Sequence, residues 1–347
     1  MKEKLDRKTE ELGIPRIDKS ELIETLSSIT KVPDYWTKCE EDFMEVEVSK
    51  ETEEYCKIEE MLNNNIEIHK GEYGICSNGK IPSSFKLNKL MRIQNKEIWQ
   101  RYQFARTCIE KQNKYKLNES ESSKYINKIP IKTKKIDDKS NEYYLFHGTK
   151  WEVINIVKKK GFDERVGSTS GMFGAGIYFA ENSSKSNQYV PCPQCGKGAI
   201  FTDGICTCNL ISTQNYGMLM CRVILGDIHI ALDYNSEQYK GTKKHPIRRP
   251  PYKLNDMELY DSIMGESINN GGSKLNYREF IIYDRFQVYP EYILYFDRIP
   301  SLISPSLDVN NDSNIDINID INDDKNIDSS SSSSDSETDS VGLQSEF

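Results

Sequence analysis

The sequence predicts an α+β domain. Short strands and amphipathic helices are mixed along it without the regular strand-helix alternation of a parallel α/β sheet. Met44, Val46 and Val48 alternate with Glu45 and Glu47, the period-two pattern of a half-exposed strand. Thr52 to Leu62 instead carries Tyr55, Ile58 and Met61-Leu62 at helical spacing. Late in the chain, Leu219 to Leu225, Phe280 to Tyr283 and Tyr292 to Phe296 are compact runs of β-branched and aromatic residues, as strands prefer.

Taken in order, residues 1–32 form a polar lead-in with one weak helical stretch around Leu22 to Leu26. Ordered sequence is expected from Val32-Pro33-Asp34-Tyr35-Trp36. After the first strand and helix, Met91, Ile98, Trp99, Tyr102, Ala105 and Ile109 mark a second helix whose apolar face packs on the sheet. Residues 111–142 are rich in Lys, Asn and Ser and read as an inserted loop. Tyr143 to Phe146 is a short strand, and Trp151 to Lys160 a helix stopped by Gly161. Residues 227–276 hold many turn formers, including Pro250-Pro251 and Gly271-Gly272. Beyond Pro300 come alternating Asn, Asp and Ile and then six serines, Ser329 to Ser334. That composition cannot bury enough apolar area to offset its ordering entropy, so residues 299–347 are expected to be disordered. The Asp/Asn run lacks the glycine and the final glutamate of a calcium loop, and no internal repeat is evident.

Charge and cysteines narrow the function classes. Of a net charge of −8, the residues from Ser301 onward contribute −10, with eleven acidic side chains against Lys325. The preceding part is therefore close to neutral, at +2 (−8 less −10). Its basic clusters, Lys132-Thr133-Lys134-Lys135 and Lys243-Lys244-His245-Pro246-Ile247-Arg248-Arg249, read as solvated loops, so direct nucleic-acid binding is not expected. No apolar run approaches membrane length, and the first residues lack the apolar core of a secretory signal. Five of the nine cysteines are scattered, which suits a reducing compartment, nucleus or cytoplasm. The other four, in Cys192-Pro193-Gln194-Cys195 and Cys206-Thr207-Cys208, fall within seventeen positions. They suit a tetrahedral structural zinc with every coordination position filled by protein; free thiols are the alternative.

Three further segments carry chemistry. His147-Gly148-Thr149 is followed by Gly171-Met172-Phe173-Gly174-Ala175-Gly176-Ile177-Tyr178-Phe179, and then by Ser186 and Tyr189 at helical spacing. Glu279 stands in Tyr277-Arg278-Glu279-Phe280-Ile281-Ile282-Tyr283. The glycine order is G-x-x-G-x-G leading into an apolar strand, the reverse of a dinucleotide fingerprint, which needs G-x-G-x-x-G opening a helix. Each residue alone has a plain structural reading: a strand end, a core aromatic, a helix face, a strand cap. Their joint order and spacing is what points further.

Together these segments resemble the NAD-binding signature of the ADP-ribosyltransferases of the poly(ADP-ribose) polymerase family. Met172 to Val190 is most similar to the tankyrase branch, and Ile93 to Tyr102 resembles the helix that opens the catalytic domain. The resemblance implies two packed, mainly antiparallel sheets with a cleft between them, over residues 33–298, without the separate autoinhibitory helical subdomain. It implies NAD+ as co-substrate and a triad of His147, Tyr178 and Glu279. Breaking the bond to nicotinamide passes through an oxocarbenium-like state that a carboxylate stabilises, while aromatic faces and an amide-binding pair hold the ring. By resemblance, Gly148 offers backbone groups and Ser186 a hydroxyl to the nicotinamide amide. Tyr189 stacks on the ring, and Tyr178 closes the other wall. His147 bonds the adenosine ribose, and Glu279 the 2′-hydroxyl of the nicotinamide ribose. Lys185 is placed to favour acidic or pyrophosphate groups nearby.

Tankyrases hold a zinc where the four cysteines fall, with a C-x₂-H-x₄-C-x₂-C arrangement. Their donor loop has a histidine and a tyrosine where this chain has Val166 and Ser168, so the pocket here should be more open over the adenosine. The expected function is NAD+-dependent transfer of ADP-ribose to Asp, Glu or Ser side chains of proteins. The chain's own acidic, serine-rich Ser329 to Glu346 is among the candidate acceptors. Elongating members keep the glutamate, so elongation to poly(ADP-ribose) is expected. Transfer of single units, or a silent NAD-binding or zinc-organised module, are the alternatives.

Overall fold

A computed structural model describes residues 19–67, 73–76, 79–113, 120–208, 215–242, 244–253 and 257–300. The expected disorder after Pro300 and the beginning of the lead-in lie outside the described residues.

Two sheets form the framework. The larger has the strand order β1 (Phe43–Val48), β2 (Pro82–Asn95), β10 (Val288–Pro300), β6 (Tyr216–Ile224), β4 (Glu142–Gly148) and β3 (Lys135–Asp137), every pair antiparallel. The smaller runs β5 (Ile177–Phe179), β9 (Glu279–Ile282), β8 (Ser262–Gly265) and β7 (Ile228–Ala231), and only β7 with β8 is parallel. This is the two-sheet, mainly antiparallel arrangement expected from the sequence.

The core lies between the sheets. Leu145, Leu219, Cys221, Val223 and Ile293 of the larger sheet pack with Ile177, Phe179, Met264, Phe280 and Ile282 of the smaller one. On the opposite face of the larger sheet, Leu90, Met218, Met220 and Leu294 meet Tyr55, Ile58 and Leu62 of helix α2 (Glu53–Asn64). Strand β6 is therefore buried on both faces, which is why its sequence is a continuous apolar run rather than an alternating one. Helix α2 starts at Thr52, whose hydroxyl accepts the Tyr55 N–H at 3.2 Å.

Several elements differ from the sequence-based expectation. The weak helical stretch expected around Leu22 to Leu26 lies within helix α1 (Lys19–Thr30), so ordered structure begins before the expected Val32, and the Trp99 indole donates to the Lys31 carbonyl just past it, at 2.9 Å. Met91 belongs to strand β2, and helix α3 (Lys96–Asn113) begins only at Lys96. The strand was hidden because its register against β10 slips at Asn88, so buried Phe85 and Leu87 are followed at a three-residue step by buried Leu90. That step imitates helical spacing. The segment 111–142 is not one loop: it contains helix α4 (Glu121–Lys128) and strand β3. Ser120 caps α4 by accepting the Ser123 N–H, while only Ser122 and Ile126 of this short helix are buried, too few positions to show a period. The turn-rich stretch 227–276 likewise holds β7, β8 and the single turn α7 (Ser236–Tyr239). Helix α5 (Trp151–Lys160) ends as expected, at Gly161 with φ of 77°, whose N–H returns to the Val157 carbonyl. No described helix is long and apolar enough to cross a membrane.

Candidate active site

The two sheets meet where β4 and β5 end. Phe146 and Ala180 exchange backbone hydrogen bonds of 2.8 and 3.0 Å, although their strands belong to different sheets. Just past this junction the His147 Nδ1 lies 2.8 Å from the Tyr178 carbonyl. A carbonyl only accepts, so Nδ1 carries the proton and Nε2 is left as an acceptor for a hydroxyl. Burial pulls the His147 pKa below its ordinary value, against the opposing pull of the carbonyl bond. Phe162 packs edge-on to the imidazole, with centroids 5.0 Å apart.

In β5, Ile177 and Phe179 turn into the core, so Tyr178 faces the other way. Its hydroxyl donates to the Gly174 carbonyl at 2.8 Å and accepts the Phe173 N–H at 2.9 Å. The glycine loop thus wraps the phenol, and a Cβ on Gly171 would stand 2.4 Å from that hydroxyl. Burial first, and then the neighbouring Tyr283 and the Glu279 charge, hold the Tyr178 phenol well above its usual pKa.

Helix α6 (Ser183–Asn187) supplies the next group. The Ser183 hydroxyl donates to the Leu62 carbonyl at 2.6 Å, and the Asn187 amide to the Gly74 carbonyl at 2.7 Å. From beneath, buried Arg298 donates to Asn187 Oδ1 at 2.8 Å and to the Val190 carbonyl at 2.7 Å, fixing the turn that bears Ser186 and Tyr189. Gly148 passes so close to this turn that a Cβ there would meet the Ser186 carbonyl at 1.8 Å and the Tyr189 Cβ at 3.2 Å. A glycine is therefore required by packing as well as by the expected approach of a ligand.

Glu279 opens β9 opposite Gly265 and is 8% exposed. Its Oε1 lies 2.8 Å from the Lys185 Nζ, which also reaches the Tyr189 hydroxyl at 3.4 Å and stands over the Tyr189 ring. Burial is the largest single influence and opposes the Lys185 charge, but Glu279 and Tyr189 together outweigh it and raise the ammonium pKa above its ordinary value. The acidic group that Lys185 meets is thus Glu279 itself. His147, Gly148, Tyr178, Lys185, Ser186, Tyr189 and Glu279 are joined through these contacts around one junction, although they come from four separate elements.

Sequence reasoning missed the groups that hold the loops. The Ala175 N–H donates to the Ile247 carbonyl at 2.9 Å, and a Cβ on Gly174, whose φ is 77°, would meet that carbonyl oxygen at 2.2 Å. Arg285 pairs with Glu164 at 2.7 Å and with Asp163 at 3.1 Å, anchoring the donor loop. A hydrogen bond from Arg165 is the largest influence drawing the Asp163 carboxyl down to about 2. Val166 is 40% exposed on this loop. A scatter of single charged residues gave no sequence signal for these pairs.

The four clustered cysteines do come together. The Sγ atoms of Cys192, Cys195, Cys206 and Cys208 all lie within 4.8 Å of one another. The Gly196 N–H returns to the Cys192 carbonyl, the Cys192 N–H donates to the Lys197 carbonyl, and Gly196 and Gly198 have φ of 70° and 83°. Tetrahedral zinc with Zn–S bonds near 2.3 Å sets sulfurs about 3.8 Å apart, so small movements would close this cluster on one ion.

Comparison with known proteins agrees with this geometry. A family model described as the poly(ADP-ribose) polymerase catalytic domain matches residues 52–298. The human protein mono-ADP-ribosyltransferase PARP12 is 24% identical over 269 residues, 76% of this chain and 28% of the relative. Human protein mono-ADP-ribosyltransferase PARP11 is 26% identical over 230 residues, 65% of this chain and 56% of the relative. A probable poly [ADP-ribose] polymerase of Dictyostelium discoideum is 27% identical over 241 residues, 66% of this chain and 51% of the relative. The matched stretch thus spans between about a quarter and just over half of these relatives.

Proposed function

Because this chain belongs to the poly(ADP-ribose) polymerase catalytic-domain family, we propose that it transfers ADP-ribose from NAD+ to carboxylate or hydroxyl side chains of proteins, releasing nicotinamide. The observation that carries this reading is the buried Lys185–Glu279 pair, 2.8 Å long, which holds the Glu279 carboxyl group in place beside Tyr178 and Tyr189. In the reaction, the glycosidic C–N bond breaks and nicotinamide leaves with the bonding pair. An acceptor carboxylate attacks C1′ as the anion, whereas an acceptor hydroxyl attacks it and releases its proton to solvent. Glu279 bonds the 2′-hydroxyl and opposes the positive charge that develops on the ribose. Tyr178 and Tyr189 wall the nicotinamide ring, Gly148 and Ser186 receive its amide, and the free Nε2 of His147 accepts from the adenosine ribose.

Elongation to poly(ADP-ribose) is the fuller form of this proposal, supported by the carboxylate at 279. The run Met172 to Val190 and the four-thiol cluster support a likeness to the tankyrase branch. Transfer of single units is the second reading, favoured by the names of the human relatives, which describe mono-ADP-ribosyltransferases. Purified protein incubated with labelled NAD+ and resolved on a gel distinguishes them. A smear is expected for elongation and a sharp band for single units. Binding of nicotinamide with no label transferred would leave only a silent module.

We further propose that Cys192, Cys195, Cys206 and Cys208 hold a structural zinc. Zinc would supply cross-linking here and no reaction step. The purified protein is expected to contain about one zinc per chain, and Cys206→Ser to lower both zinc content and the melting temperature. Metal-free protein of unchanged melting temperature would refute the site.

A further inference from the structure

Arg278 immediately precedes Glu279 and is 1% exposed, among the largest fully buried side chains of the described residues. Successive residues entering a strand face opposite sides, so Arg278 lies beneath the carboxylate that the proposed function makes catalytic. Its guanidinium uses every nitrogen. Nε donates to both oxygens of Glu266 at 2.9 Å, and Nη2 stands 2.9 Å from Glu266 Oε2. Nη1 donates to the Pro130 carbonyl at 2.8 Å, and Nη2 to the Ile129 carbonyl at 3.0 Å. Nη1 also faces Glu181, 3.6 Å away.

Each partner belongs to an element that positions the site. Glu266 directly follows Gly265, the residue paired with Glu279 across β8 and β9. Glu181 follows the Phe146–Ala180 junction and precedes the cap of α6, which carries Lys185. Ile129 and Pro130 are the exit of α4, and Tyr125 of that helix donates to Glu266 Oε2 at 3.0 Å. The Lys132 N–H donates to Glu181, closing the ring of contacts. Burial would penalise each of these charges alone. Held together, they make one fixed unit from four segments.

We infer that Arg278 is a positioning residue for Glu279, and that through it the exit of α4 sets where the carboxylate stands. This inference rests on the reading of Glu279 as the group that bonds the nicotinamide ribose. Arg278 touches no substrate atom, so its loss should act on turnover and spare the binding of the nicotinamide end.

The test uses the full chain with Arg278→Met, Arg278→Lys, Glu279→Gln and the corresponding double variants. Arg278→Met is expected to lower kcat about ten- to hundredfold, as slight misplacement of a reacting group does. KM for NAD+ should stay within about threefold, and the thermal shift with nicotinamide should be retained. Arg278→Lys should recover part of kcat, since it restores the charge without the planar fork. In the Glu279→Gln background, either Arg278 change should cost little more, because both remove the same contribution. If Arg278→Met does not fold, the same comparison with Arg278→Lys decides. Unchanged kcat in a folded variant would overturn the inference, as would a loss carried by KM or an undiminished loss in the Glu279→Gln background. Full activity of Glu279→Gln itself would instead remove the functional reading beneath it.

Discussion

Replacing Glu279 with glutamine is expected to lower ADP-ribose transfer roughly 10²- to 10³-fold, the cost of removing one contact made chiefly in the transition state. The amide keeps the shape and a hydrogen-bonding oxygen but loses the charge that opposes the oxocarbenium-like ribose. The variant also leaves the Lys185 ammonium buried without its carboxylate, 2.8 Å away in the wild type. Nicotinamide should still bind, because Gly148, Ser186, Tyr178 and Tyr189 are unchanged. The measurement is incorporation of labelled NAD+ by the two proteins side by side, with a nicotinamide thermal shift as control. Incorporation within about twofold of wild type would reject the role, since a transition-state contact is worth far more.

Gly148→Ala is expected to act on binding rather than on charge. A methyl group there would stand 1.8 Å from the Ser186 carbonyl oxygen. Either β4 or the turn bearing Ser186 and Tyr189 must move. Overpacking of this kind costs about 1–3 kcal/mol, and displacement of groups that orient a substrate can cost about 10²-fold in rate. The turn is a poor place to give way, because Arg298 grips Asn187 and Val190 beneath it. The expected result is a lower melting temperature, no stabilisation by nicotinamide, and a raised KM for NAD+. A variant that nicotinamide stabilises as fully as wild type would show that the close pass does not matter.

The fold was legible where local pattern and tertiary role agree. The β1 alternation, the Thr52-capped α2 and the Gly161-terminated α5 are written in side-chain period and capping chemistry. It was not legible where a tertiary contact supplies what the local pattern lacks. β2 hides behind a bulge at Asn88, and α4 shows only Ser122 and Ile126 to the interior and is held by Tyr125 and its exit carbonyls. The glycine loop, the Ser186/Tyr189 turn and the carboxylate of β9 were visible because their residue types are constrained at close spacing. The contacts that support them, Arg278 with Glu266, Arg285 with Glu164, and the Ile247 carbonyl on the glycine loop, join residues far apart in sequence. Single charged or backbone groups of that kind carry no periodic signal.

A structure of the protein with a non-hydrolysable NAD+ analogue tests the central claim most directly. The analogue's nicotinamide is expected between Tyr178 and Tyr189, with its amide on Gly148 and Ser186. The Glu279 carboxylate should lie at hydrogen-bond distance, about 2.6–3.2 Å, from the ribose 2′-hydroxyl. An analogue bound away from the β4–β5 junction, or seated there with the carboxylate out of reach of the sugar, would contradict it.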